Sequence, residues 1–280
     1  MTATLQTRSQ NRLLTDDQIA DFERDGFLIL RDFYSPKEVA EIRDTFMKVN
    51  ENGPVPGMSE ISKHYTPEDP LSFYPRIMHP HRHPESIVGS VALRYLLDAR
   101  VGNVLHDLFG EPAVAAQTMF YFKPAGARGQ DLHQDNFYLR VAPGNCMAAW
   151  LAVDAADPEN GGMVVVPGSH RGEVVCPDKA DPEIFFTGDH VEVPAGLKEV
   201  PTDLRAGDML FFNGSLIHGS YPNKSKDRFR RAFICHYVPQ ATSEMANGYF
   251  PLLDFDGNVV TTNAAEGGGP CGVPISDRLH

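Results

Sequence analysis

Apolar positions recur at helical spacing through the first third of this chain and in short runs thereafter. Val39, Ile42 and Phe46, three and four apart, define one inward face of a helix. Its start is marked by Ser35-Pro36-Lys37-Glu38, and an earlier start by Thr15-Asp16-Asp17-Gln18, both with the capping-box pattern. Pro36 suits the first helical position, where its missing N–H costs nothing. Between these helices Gly26-Phe27-Leu28-Ile29-Leu30 is too short for a helix and reads as a strand. A third helix is predicted over about residues 89–109, ending at Gly110. Residues 51–85 carry Gly53-Pro54, Pro56-Gly57, Pro67, Pro70, Pro75, Pro80 and Pro84, and so predict a long irregular loop. Long loops in compact proteins are usually functional or disordered, and this one holds Phe73, Tyr74, His79, His81 and His83.

From about residue 112 the texture changes. Apolar or alternating runs over 114–122, 133–138, 146–153, 163–166, 209–212 and 229–238 are separated by turns such as Lys123-Pro124-Ala125-Gly126, Pro143-Gly144-Asn145 and Ala206-Gly207-Asp208. Short strands with such turns predict an antiparallel sandwich or barrel. The fold class expected is mainly β with N-terminal helices. One domain is expected over 1–280: residues 1–14 a disordered tail, 15–111 a helical cover and loop, 112–240 the β core, and 241–280 a C-terminal lid.

Composition narrows the partners. Lys+Arg 25 against Asp+Glu 37 gives a net charge of −12, which disfavours nonspecific binding to nucleic acid or anionic lipid and favours a small molecule. The N-terminal MTATLQTRSQNR lacks a signal peptide's apolar stretch, and no run approaches a membrane span. Cys146, Cys176, Cys235 and Cys271 are widely spaced with no C-x-x-C pair, which fits a reducing compartment. A cytoplasmic protein is expected.

The candidate chemistry begins at His133-Gln134-Asp135. On a strand, His133 and Asp135 would share a face while Gln134 points away. A second histidine on a facing strand would complete two imidazoles and one carboxylate, a set that holds non-haem Fe(II) and leaves positions open for oxygen and a co-substrate. His218, in Leu216-Ile217-His218-Gly219-Ser220, is the candidate. Alone, H-x-D is weak evidence for a metal and reads as a local hydrogen-bonded pair. Arg230-Arg231 follows His218 by about a dozen residues. Alternation groups Arg230 with Ala232, Ile234 and His236, and Arg231 with Phe229, Phe233 and Cys235, without saying which face lines a site.

The order of these motifs resembles the phytanoyl-CoA dioxygenase family of Fe(II)- and 2-oxoglutarate-dependent oxygenases. The resemblance runs through Gly26-Phe27-Leu28-Ile29-Leu30, Lys123-Pro124, His133-Gln134-Asp135, Trp150, Asn160-Gly161-Gly162, Val166-Pro167-Gly168-Ser169-His170, His218-Gly219-Ser220 and Phe229-Arg230-Arg231-Ala232. It implies a double-stranded β-helix, a cupin-like jelly roll. It further implies His133, Asp135 and His218 as iron ligands, and Arg230 as the partner of the distal carboxylate of 2-oxoglutarate, to which a guanidinium offers a planar fork. The family's usual spacing falls on Phe229, so Arg230 implies a one-residue insertion in the turn from Asn223 to Arg228; Arg231 is its rival. Ser220 would donate to the same carboxylate. Gln117 and Tyr121, on one face of a strand, would contact the co-substrate or else be ordinary polar residues of the core. Trp150 packs against the site.

What the resemblance implies chemically is oxidation of 2-oxoglutarate by O2 to succinate and carbon dioxide, coupled to hydroxylation of an unactivated C–H bond in a natural product, carboxylic acid or acyl-CoA. Asp135 argues against the halogenating relatives, which lack the carboxylate. Desaturation or rearrangement is open as an outcome. His79, His81 and His83 read as loop packing or substrate contact rather than a second metal set, His170 as a turn residue, and His236 as a core histidine. Lys63, His64, Arg76, His79, His81 and Arg82 make the long loop basic within an acidic chain, a hint of an anionic substrate group. That loop and residues 241–271 are the expected selectors of substrate. The alternatives are a cupin-like metalloenzyme that does not use 2-oxoglutarate and a non-catalytic jelly-roll binding protein.

Overall fold

The computed structural model describes residues 12–60, 65–265 and 269–271, so Lys63, His64 and most of the expected N-terminal tail lie outside the described residues. Local signals set the first elements. Thr15 caps α1 (Asp16–Asp25) and Ser35 caps α2 (Pro36–Val49), each in a reciprocal capping box, with Gln18 and Glu38 as the returning side chains. Val39, Ile42 and Phe46 are the buried face of α2, as their spacing predicts. Between the two helices lies β1 (Phe27–Leu30).

The proline-rich segment is mostly irregular, but it contains α3 (Pro70–Phe73), β2 (Ile77–Met78) and a 3-10 turn at Pro80–Arg82. The single helix predicted next is two, α4 (Ile87–Leu96) and α5 (Ala99–Phe109). Apolar periodicity runs across the break; what divides it is Asp98, whose carboxylate accepts from the Arg100 N–H at 2.8 Å and so caps a new helix. Gly110 ends α5 at φ 74°, a left-handed position suited to glycine.

Ten further strands follow: β3 (Ala113–Tyr121), β4 (Gln130–His133), β5 (Met147–Ala152), β6 (Met163–Val165), β7 (Asp178–Lys179), β8 (Asp189–His190), β9 (Val200–Pro201), β10 (Met209–Asn213), β11 (His218–Ser220) and β12 (Ala232–Pro239), with short pairings beyond them. Among the described residues, the larger sheet runs β1-β10-β5-β12-β3 and continues to Leu252–Leu253 and Val259–Val260, with β2 also on β3. The smaller sheet runs β4-β11-β6-β9. One face of the larger sheet, including Phe120, Leu151, Phe211 and Phe233, packs on the helices; Phe46 stacks on Phe120 with ring centroids 4.1 Å apart. The other face, including Met119, Trp150 and Ile234, packs on Met163 and Val165 of the smaller sheet. Cover on both faces is why β3 is buried at every position. This is the expected jelly-roll core with helices added at the N-terminus.

Two expectations need correction. The run over 133–138 is not a strand: the chain leaves β4 at His133 and turns into α6 (Asp135–Leu139). Gln134 spends its side chain on loops rather than on a sheet, donating to Ser215 O at 2.8 Å and accepting from the Val175 N–H at 3.0 Å, while the Asn136 N–H donates to Gly214 O. Phe137 and Leu139 are then free to fill a small core with Tyr249 and Leu252. The cysteines are also not all thiols. Cys176 and Cys271 form a disulfide across 95 residues, a pairing that only the folded chain brings together, whereas Cys146 and Cys235 are free and buried. No helix among the described residues is long and apolar enough to cross a membrane.

Candidate metal centre

The site is assembled where the two sheets face each other. β4 and β11 are antiparallel neighbours with His133 and His218 in register, and their ring centroids lie 4.3 Å apart. The turn into α6 brings Asp135 Oδ1 to 3.4 Å from Nε2 of each histidine. Alternation along a strand therefore does not join His133 to Asp135; a strand end followed by the first residue of a helix does. All three side chains are buried, and their ligand atoms lie within 4.8 Å of one another.

The imidazoles are oriented for ligation. His133 Nδ1 lies 2.7 Å from Asp131 O and His218 Nδ1 2.9 Å from Leu216 O. A carbonyl only accepts, so each Nδ1 carries the proton and each Nε2 turns a lone pair toward Asp135. Burial pushes His218 down to about 4, with Asp135 opposing the shift, which keeps the ring neutral at physiological pH. Two imidazoles and a carboxylate, converging in a buried space, fit Fe(II).

His236 is the buried histidine that its sequence reading suggests, but its bond to the metal set was not read from the sequence. It is fully buried on β12, and its Nε2 donates to Asp135 Oδ2 at 2.9 Å, fixing the carboxylate so that the other oxygen faces the histidines. The available signal was the alternation that puts His236 on the same face as Arg230. Partners of this kind typically contribute 10–100-fold to metal affinity, so His236→Leu is expected to weaken Fe(II) binding by roughly that factor, with partial recovery in His236→Gln, which keeps a donor. Anaerobic Fe(II) titration checks this; unchanged affinity in His236→Leu would reduce His236 to packing.

Arg230 and Arg231 separate clearly. Arg230 is 1% exposed and lies in the pocket wall with Trp150, Ser220, Ile234 and His236. Its Nε donates to Gly161 O at 2.9 Å, its guanidinium lies 5.4 Å from the Trp150 ring centre, and its NH1 is buried without a partner. Burial pushes it down to about 10. Arg231 instead forms a two-pronged ion pair with Asp154 at 2.8 Å. The Asn223 to Arg228 turn is closed by Asn223 Nδ2 donating to Arg228 O at 2.7 Å. Phe229 turns away to pack edge-on against Tyr74.

Ser220 lines the pocket and accepts from Lys123 Nζ at 2.7 Å. Lys123 is itself buried, and burial, reinforced by Arg230, holds its ammonium well below the usual lysine range. Tyr121 lines the pocket and its hydroxyl accepts from Arg76 NH1 at 2.7 Å. Gln117 lies on the same strand face, paired in register with His236, but outside the pocket wall. His79 and His81 are buried in the loop, His81 Nδ1 lying 2.7 Å from Thr118 Oγ1, and no second metal set forms around them among the described residues. His170 sits on the 3-10 turn Ser169–Arg171, outside the pocket wall and 3.3 Å from Glu23 O.

A jelly roll carrying this buried His-Asp-His set is the architecture of a mononuclear non-haem iron oxygenase. The profile of the phytanoyl-CoA dioxygenase (PhyH) family matches residues 22–232. The chain is 30% identical over 253 residues to phytanoyl-CoA dioxygenase 1 of Oryza sativa subsp. japonica, covering 80% of this chain and 89% of that protein. It is 28% identical to methylphosphonate hydroxylase of Gimesia maris, with 86% of each covered. Among solved structures it is similar to EctD from S. alaskensis with 2-oxoglutarate and 5-hydroxyectoine, at TM-score 0.67 and 21% identity, covering 84% of this chain and 79% of that one. The chain belongs to the phytanoyl-CoA dioxygenase family of Fe(II)- and 2-oxoglutarate-dependent oxygenases.

Proposed function

We propose that this enzyme hydroxylates an unactivated C–H bond of a small organic molecule, with 2-oxoglutarate and O2 converted to succinate and carbon dioxide. The carrying observation is the buried His133-Asp135-His218 set beside a buried arginine, Arg230, whose NH1 has no partner. In this reading the triad holds Fe(II), which supplies oxygen activation. Arg230 binds the distal carboxylate of 2-oxoglutarate, Ser220 donates to it, and Tyr121 and Trp150 wall the same subsite; Gln117 supports the wall through its strand. Met119, Phe212 and Ile234 exclude water around the reacting bond. Residues 1–280 act as one dioxygenase domain in a cytoplasmic protein, the 51–85 loop and residues 241–271 selecting the substrate. Relatives named for phytanoyl-CoA and for methylphosphonate differ widely in substrate, so family membership alone does not choose one.

Anaerobic addition of Fe(II) and 2-oxoglutarate is expected to produce the weak visible metal-to-ligand charge-transfer band of a chelated keto acid. If no band forms in the wild-type protein, the proposal fails, and oxygen consumption independent of 2-oxoglutarate would favour a cupin-like enzyme instead.

A further inference from the structure

A second cavity, a cleft of about 400 Å3, opens between the chain at 57–60 and the chain at 78–83, walled in part by Met58, Glu60, Met78, His79 and Arg82. It adjoins the metal pocket through β2, where Met78 pairs in register with Met119 of the pocket wall. Its charges are unbalanced. Glu60 is already neutralised by a two-pronged ion pair to Arg76, at 2.5 and 2.8 Å. Among the described residues Arg82 has no carboxylate within ion-pair reach: its NH2 donates to Gly248 O at 3.1 Å and its Nε is buried without a partner. Most arginines of this acidic chain are paired with carboxylates, including Arg31, Arg76, Arg100, Arg128, Arg228 and Arg231. Arg82 shares its unpaired state with Arg230, for which an anionic co-substrate is proposed.

His79 points to the same ligand. It is 7% exposed, yet neither ring nitrogen has a hydrogen-bond partner, and a buried unsatisfied polar group typically costs about 1–3 kcal/mol. Its backbone is left-handed at φ 51°, a conformation costing a non-glycine residue roughly 1 kcal/mol or more. Burial, then the charge of Arg82, with smaller contributions from His81, His236 and Arg76, pushes the ring down to about 3, so it offers one neutral N–H. A guanidinium whose Nε–H has no partner and a neutral N–H donor, from two residues that wall one cleft, match an oxyanion.

We propose that this cleft binds a carboxylate or phosphoryl terminus of the molecule oxidised at the metal centre, Arg82 supplying the charge and His79 a hydrogen bond. The inference rests on the dioxygenase reading for the fate of that molecule, but not for the anion seat itself. The link between Arg82 and Gly248 also joins the two segments expected to choose the substrate.

The test is calorimetric titration of hexanoate, hexyl phosphate and hexanol into protein held anaerobic with Fe(II) and saturating 2-oxoglutarate, so that Arg230 is already occupied. At least one anion is expected to bind at least ten-fold more tightly than hexanol, and which one does identifies the headgroup. Arg82→Gln should weaken that anion at least ten-fold, His79→Phe several-fold, and Arg82→Lys should recover part of the loss, which a misfolded variant would not. Binding of neither anion, no preference over hexanol, or equal affinity in Arg82→Gln overturns the proposal. The charge-transfer band, recorded on the same samples, reports separately on the dioxygenase reading: a band without Arg82-dependent binding removes only the anion seat, and Arg82-dependent binding without a band removes only the iron chemistry.

Discussion

Asp135→Ala is expected to abolish Fe(II) binding and, with it, 2-oxoglutarate turnover. Asp135 supplies the only carboxylate of the buried set, with its Oδ1 3.4 Å from both Nε2 atoms. Losing a ligand should exceed the roughly 10–100-fold effect typical of an outer partner such as His236. The result has a thermodynamic signature independent of turnover. A metal that binds only the folded state stabilises it by about 4 kcal/mol at 1,000 times its Kd, so wild-type protein should melt several degrees higher with Fe(II), or with redox-inert Zn(II), than without. Asp135→Ala and His218→Ala should lose that rise. In the metal-free protein Asp135→Ala forfeits the hydrogen bond from His236, a smaller effect than losing the metal. Melting curves with and without metal therefore separate ligand loss from misfolding: a variant that still gains stability with metal would remove Asp135 from the ligand set.

How the triad was legible, and how it was not, follows from the range of the forces involved. Thr15, Gln18, Ser35 and Glu38 interact with residues three positions away, so both capping boxes are written in contiguous sequence and appear as read. Asp98 is an equally local signal, but the apolar periodicity on either side of it masks the break between α4 and α5. Alternation assigns His133 and Asp135 to one face of a strand, and the two do converge, through a different geometry: long-range bonds from Gln134 to Ser215 and Val175 end the strand before Asp135. His236 shows the same limit. Its strand face was readable, whereas its bond to Asp135, 101 residues away, depends on how β12 packs beside α6. The Cys176–Cys271 pairing and the Arg82–Gly248 contact likewise join segments whose separation hides them from any local pattern.

The choice between two adjacent arginines depends on the sheet, and it yields the sharper prediction. Arg230 turns into the pocket with a buried, unpartnered NH1, while Arg231 is spent on Asp154. Removing one partner of a buried charge pair costs about 2–5 kcal/mol of binding, so Arg230→Met should raise the KM for 2-oxoglutarate roughly 30-fold or more. Arg231→Met should leave that KM within about twofold and act on stability instead. The stability changes are expected to have opposite signs. Without co-substrate, Arg230 is a cation held in a dry site, pushed down to about 10 by burial. A methionine removes that desolvation, so the free Arg230→Met protein should be stabilised by about 1–2 kcal/mol. Arg231→Met leaves Asp154 without its ion-pair partner and should destabilise the protein. Denaturant melts of the free proteins, combined with the 2-oxoglutarate dependence of succinate release, give both axes. A KM rise in Arg231→Met matching that in Arg230→Met would overturn the assignment, whereas a more stable Arg230→Met protein that needs far more 2-oxoglutarate would show that the buried cation is kept for binding at the expense of the fold.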